Sequence, residues 1–139
     1  MTSKEYLMQY RESIEDTKAA VDRIRQLREI CENLKDETGQ TVALEKALAD
    51  LIDAKNETAA ELARYCKIRA DVQRTIARVR DVRYRSLLHA RYILGLTWEQ
   101  TAAHIGYQVR QTTRLHGQAL IVVGCILAQD ARACDFPHV

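Results

Sequence analysis

Up to position 94 this 139-residue chain has one glycine, Gly39, and its single proline, Pro137, stands close to the C-terminus. A stretch so poor in backbone breakers, with no alternating β-branched pattern, has one economical solution, which is long helices. The apolar residues recur in threes and fours, or sums of them. In the first segment they are Tyr10, Ile14, Val21, Ile24, Cys31 and Leu34; in the second they are Leu44, Leu48, Leu51, Thr58, Leu62, Tyr65, Val72, Ile76 and Val79. That period predicts a coiled-coil seam. Asp36–Thr41 holds Gly39 and a capping candidate in Thr41, so the chain is expected to reverse there into an antiparallel hairpin covering residues 1–80. Pairing about that turn sets Leu27 beside Asp50 and Leu51, and Ile14 beside Ala63 and Arg64. Lys55 and Arg69 interrupt the seam; they either snorkel, or mark where the hairpin opens or where a second copy docks.

A new helix is expected from Asp81 and Val82 to Leu94, ended by Gly95. Beyond it, Leu96 to Leu120 reads as two short helices about a turn at Gly106 and Tyr107. Thr97 supplies an N-cap hydroxyl and Glu99 complements the dipole. Gly106 suits a left-handed turn residue, and Gln108 starts the next helix. The spacing predicts Ala102, Ile105, Tyr107, Val109 and Leu115 as core. Gln108, Arg110, Gln111, Thr113, Arg114 and Gln118 are left outward on the second helix, a set that can donate and accept at base edges and holds no carboxylate. Placed in a DNA major groove, a helix-turn-helix uses such a face for readout. His116, on the same helix, is expected either to touch a phosphate or to act as a partly buried spacer.

Charge is divided between the halves. Met1–Ala63 carries 9 Lys and Arg against 14 Asp and Glu, whereas Arg64–Val139 carries 12 against 5. Eight cations fall between Arg64 and Arg85, among them Arg78, Arg80, Arg83 and Arg85. With Thr97, these four are the expected contacts to the phosphate backbone. The alternative is a solvated helix face, or pairing with the acidic first helix.

Arg85–Leu120, RSLLHARYILGLTWEQTAAHIGYQVRQTTRLHGQAL, resembles region 4 of bacterial sigma factors: an apolar helix ending in RY and GL, a Thr-Trp-Glu opening, a Gly-Tyr turn and a recognition helix. KEYL at Lys4–Leu7, RYRSLL at Arg83–Leu88 and the closing GYQVRQTTRLHGQAL are similar to small phage and prophage proteins with a sigma-region-4-like domain. The resemblance implies a phage-encoded transcription regulator, related in style to late-gene activators and working in the cytoplasm of a bacterial host. Thr101 and Thr112 stand where that family usually has branched aliphatic residues, so a slightly looser core, or one whose threonines bond helix carbonyls, is expected.

The fold class expected is therefore all-α: a coiled-coil-like hairpin over 1–80, a sigma region 4-like helix-turn-helix domain over 81–128 and a tail over 129–139. Leu120, Val123, Ile126 and Leu127 either pack back on Leu87, Leu88 and Tyr92 or form an exposed patch. No phosphate-binding Gly-rich loop, GxSxG or HExxH motif is present, so no enzyme and no cofactor are expected. Cys31, Cys66, Cys125 and Cys134 lack metal-ligand spacing and read as reduced thiols, the first two in helical core positions, with no metal site. The N-terminus is charged throughout, and Ala119–Ala128 is too short to span a bilayer, which takes ~20 residues, so neither a signal peptide nor a membrane span is expected. The expected partner is double-stranded DNA. A single helix-turn-helix covers only ~600–1,000 Å², so a homo-oligomer through the N-terminal helices, or host RNA polymerase, is expected beside it. The alternatives are a DNA-packaging (small terminase-like) or architectural protein, and a protein-interaction module that docks on RNA polymerase.

Overall fold

The computed structural model describes residues 1–35 and 41–135, and all regular structure among them is helical. The helices are α1 (Ser3–Lys35), α2 (Thr41–Ala77), α3 (Val82–Leu88), α4 (Trp98–Ile105) and α5 (Val109–Asp135), with a π-helical turn, His89–Ile93, continuing α3. The reversal expected at Gly39 and the end of the tail from Phe136 lie outside the described residues. No described helix is long and apolar enough to cross a membrane.

Two compact units form, Glu12–Lys67 and a second made of Met1–Arg11 with Ile68–Val139. The divide expected at residues 80 and 81 thus falls inside the second unit. The reason is packing: Leu7, Val72 and Val79 are fully buried, and the Tyr6 hydroxyl lies 2.9 Å from Thr75 Oγ1.

Within Glu12–Lys67, α1 and α2 run antiparallel. Thr58 Oγ1 points at the Ala20 carbonyl, 3.5 Å away, and Arg23 pairs with Glu57 at 3.1 Å. The shielded residues keep a strict three-and-four spacing: Ser13, Thr17, Ala20, Ile24, Leu27, Cys31 and Leu34 face Leu44, Ala47, Leu51, Ala54, Thr58, Glu61 and Tyr65. Alanine, serine and threonine at the crossing points let the backbones approach closely. Three residues placed in the seam by sequence are therefore corrected: Val21, Leu48 and Leu62 are 45%, 38% and 49% exposed. Ala47 and Ala54 take the inner positions instead. Lys55 and Arg69 do not interrupt the seam; both are exposed beside it. Cys31 is buried, whereas Cys66 is exposed and not a core residue.

In the second unit α3, α4 and α5 pack on one another. Asp81 caps α3, accepting the Arg83 backbone N–H at 2.9 Å. Leu87 and Leu88 project fully buried from that helix, each contributing roughly 2 kcal/mol of apolar burial. The π turn is closed by Leu94 N–H on the His89 carbonyl at 3.0 Å, and Gly95 follows in the left-handed region at φ 70°. Two arginines hold this corner: Arg91 donates to the Leu96 carbonyl at 2.7 Å, and Arg11 to that of Ile93 at 3.4 Å. Helix α5 runs unbroken through Gly117 and Gly124, so residues 129–135 are helical and not a tail. Its Ala119, Val123 and Ile126 are buried, which makes the C-terminal apolar run part of this core.

Candidate nucleic-acid interface

Local chemistry fixes the geometry of α4 and the start of α5. Thr97 Oγ1 accepts the Gln100 N–H at 3.2 Å while Gln100 Oε1 accepts the Thr97 N–H at 3.0 Å, a reciprocal cap that satisfies two orphan donors. At the other end Gly106 adopts φ 79°, and its N–H and that of Tyr107 both reach the Ala102 carbonyl at 3.0 Å. This closes α4 with a left-handed residue. Only Gly106, Tyr107 and Gln108 separate α4 from α5, and the Gln108 carbonyl accepts the Thr112 N–H at 2.9 Å to open α5.

Beneath the turn lies a small polar core. Ala102 and Leu115 are buried and Ile105 and Tyr107 half-buried, but Val109 is 40% exposed, contrary to its expected core role. Val109 is the first residue of α5, and the helical period turns the next inward position to Thr112, which is fully buried. Thr112 Oγ1 donates to the Gln108 carbonyl at 2.9 Å, whereas Thr101 Oγ1, also fully buried, has no hydrogen-bond partner. His116 is buried, not a phosphate contact: Nε2 lies 2.6 Å from the Tyr92 hydroxyl, and Trp98 meets the ring edge-on at 4.8 Å. Burial, with the Arg91 and Lys4 cations adding to it, pushes its pKa down to about 4, so the imidazole is neutral at pH 7. Burial likewise raises the Tyr92 hydroxyl. Trp98 itself is covered by the Arg91 guanidinium, 4.4 Å from the ring centroid.

On this base, Gln108, Arg110, Gln111, Thr113, Arg114 and Gln118 are all exposed. Four of them, Gln108, Arg110, Gln111 and Arg114, line one shallow concavity of about 220 Å³. Arg110 and Arg114 have no ion pair among the described residues, and from Val109 to Gln129 the helix contains no carboxylate. The other two stand apart. Thr113 Oγ1 donates back to the Val109 carbonyl at 3.0 Å, and Gln118 Oε1 accepts the Tyr84 hydroxyl at 2.8 Å.

The expected phosphate contacts do not form one free row. Arg78 Nη1 donates to both carboxylate oxygens of Asp130 at 2.6 and 2.8 Å, Arg85 donates to the Val79 carbonyl at 3.0 Å, and Arg83 pairs with Asp81 at 3.0 Å. The Arg83 hydrogen bond is the main reason the Asp81 carboxyl titrates below its usual range, and Asp81 in turn raises Arg83. The Thr97 hydroxyl is engaged in its cap. Arg80 alone of the set is exposed with no internal partner among the described residues. Asp130 lies 52 residues from Arg78 in sequence, so no local pattern announces that pair. The Tyr84 contact with Gln118 was equally hidden, since it joins α3 to α5 across 34 residues.

The unit built from Met1–Arg11 and Ile68–Val139 carries 12 Lys and Arg against 6 Asp and Glu, so the glutamine and arginine face belongs to a basic body. No protein-family model, curated protein or solved structure matches the chain.

Proposed function

We propose that this protein is a sequence-specific DNA-binding transcription regulator that lays the first turns of α5 in the major groove. The reading treats α4, the Gly106 turn and α5 as a helix-turn-helix of the sigma region 4 type, and α1 with α2 as its helical hairpin. One observation carries it: an exposed, carboxylate-free cluster of Gln108, Arg110, Gln111 and Arg114 on a helix that follows directly on a turn fixed by the Gly106 cap of α4. Each guanidinium can fork onto guanine O6 and N7, and Gln111 can pair with an adenine edge, each such contact discriminating by about 1–3 kcal/mol. Arg80 and the first N–H groups of α4 near Thr97 supply backbone contacts that set the register. The sigma-like likeness of Arg85–Leu120 adds recruitment of host RNA polymerase, and the phage origin, to this reading.

A second reading is favoured by Ile121, 69% exposed on the outward side of α5. An apolar side chain there suits a protein-docking module that contacts RNA polymerase and not DNA. Selection of duplexes from a random pool separates these. The regulator enriches one sequence, and Arg110→Ala or Arg114→Ala abolishes the enrichment. Retention of DNA without any enriched sequence points to a packaging or architectural role. No retention even at low salt, where phosphate contacts are strongest, leaves the docking module.

A further inference from the structure

The seam between α1 and α2 uses one face of α2. A second row with the same three-and-four spacing runs along the adjoining face, with Leu48, Ile52, Ala59, Leu62 and Cys66 as its uncharged members. Leu48, Ile52 and Leu62 are 38%, 59% and 49% exposed, which is unusual for residues of this size repeated on one helix face. Lys55 sits in the middle of the row, and Glu45 and Arg69 close its two ends. None of the three has an ion partner among the described residues.

We propose that a second copy of this chain covers the row, α2 against α2, antiparallel about a two-fold axis at the level of Glu57. In antiparallel coiled packing each residue of one three-and-four position faces the other position of the partner helix. About Glu57 this sets Leu48 against Cys66, Ile52 against Leu62, the aliphatic stem of Lys55 against Ala59, and Glu45 against Arg69. Leu48, Ile52 and Leu62 each meet an uncharged residue, and the two-fold axis makes the Glu45 and Arg69 attraction occur twice. Moving the axis one layer toward the N-terminus puts Ile52 on Lys55 and Leu62 on Glu45; moving it the other way puts Ile52 on Arg69 and Cys66 on Lys55. A parallel pairing sets Glu45, Lys55 and Arg69 each against its own copy, three like-charge layers. The register is thus selected by charge as well as by shape, and Lys55 and Arg69 acquire a role that the internal seam does not give them. Glu57 itself faces away, paired with Arg23 of its own copy. The inference is independent of DNA binding and fails separately from it.

The test uses the full chain with Cys31, Cys125 and Cys134 replaced by alanine, leaving Cys66, and adds Leu48→Cys. Under mild oxidation the thiol introduced at position 48 links to the partner's Cys66, giving a covalent dimer whose cross-linked peptide is read by mass spectrometry. Within one helix positions 48 and 66 are about 27 Å apart, and the two Cys66 thiols of the proposed dimer are separated along the axis by a similar ~27 Å, so neither competes. Light scattering on the unmodified chain gives the mass of two chains. Ile52→Glu with Leu62→Glu gives one chain with unchanged helical circular dichroism, and Glu45→Arg weakens association about fivefold, recovered by adding Arg69→Glu. A single-chain mass for the unmodified protein at about 50 μM, a Cys66 to Cys66 link, or a larger assembly that survives Ile52→Glu with Leu62→Glu would each overturn the proposal.

Discussion

The Tyr92 hydroxyl stands 2.6 Å from Nε2 of His116, in a pocket where Trp98 closes the imidazole edge-on. One hydrogen bond thereby ties the π turn after α3 to the first third of α5, the same part of the helix that carries the face proposed to read DNA. The neutral ring in its Nδ1–H tautomer can accept the phenol proton there; a protonated ring has no lone pair to offer and faces the Arg91 and Lys4 cations. Folding holds the His116 pKa at about 4, below its unfolded value near 6.5. Stability is therefore full above about pH 6.5 and is lost as pH falls toward 4, by on the order of 2 kcal/mol after allowing for solvent screening. Urea unfolding at pH 7, 5.5 and 4 measures this, and His116→Gln should remove that part of the slope. An equal slope in the variant would assign acid sensitivity to the carboxylates instead.

Thr101 is fully buried with an unpartnered hydroxyl, while the equally buried Thr112 gives its proton to the Gln108 carbonyl. Thr101→Val keeps the shape and removes an unsatisfied polar atom, so it is expected to raise stability by about 1 kcal/mol. Thr112→Val deletes a satisfied bond and is expected to be neutral or slightly destabilising. Shifts in urea midpoint at constant slope would check the pair, and the reverse order would contradict this account of the core.

The helix glycines separate in the same way. An added Cβ at Gly117 meets nothing within 4 Å, and Gly117 lies inside α5, so Gly117→Ala should stabilise by roughly 0.5–1 kcal/mol. Gly106 has equal space but φ 79°, so Gly106→Ala should cost about 1–2 kcal/mol through its backbone alone. Thermal unfolding of both variants decides whether conformation or packing governs each position.

What the sequence made legible was local. The scarcity of glycine and proline announced an all-helical chain, and Thr97 and Gly106 marked the ends of α4 because capping depends on residues a few positions away. The internal seam was only half legible. Two registers of the same three-and-four spacing share Leu44, Leu51, Thr58 and Tyr65; the one through Leu48 and Leu62 was read as the seam, whereas close helix approach favours the one through Ala47 and Ala54. The internal partners of the arginine row were not legible for a different reason: Asp130 and the Val79 carbonyl, which hold Arg78 and Arg85, become neighbours only in the folded chain. Gly117 and Gly124 lie inside α5, where burial of Ala119, Val123 and Ile126 between and beyond them outweighs a propensity cost of about 1 kcal/mol each.

The proposed readout by α5 is tested most directly by comparing affinities of the unmodified chain and Arg114→Ala for a selected duplex and for a scrambled duplex of the same composition, at one fixed salt concentration. Readout of a base edge predicts a loss of about 1–3 kcal/mol on the selected duplex and little change on the scrambled one. Equal loss on both would make Arg114 a phosphate contact, and no loss on either would contradict the proposal that this face reads DNA.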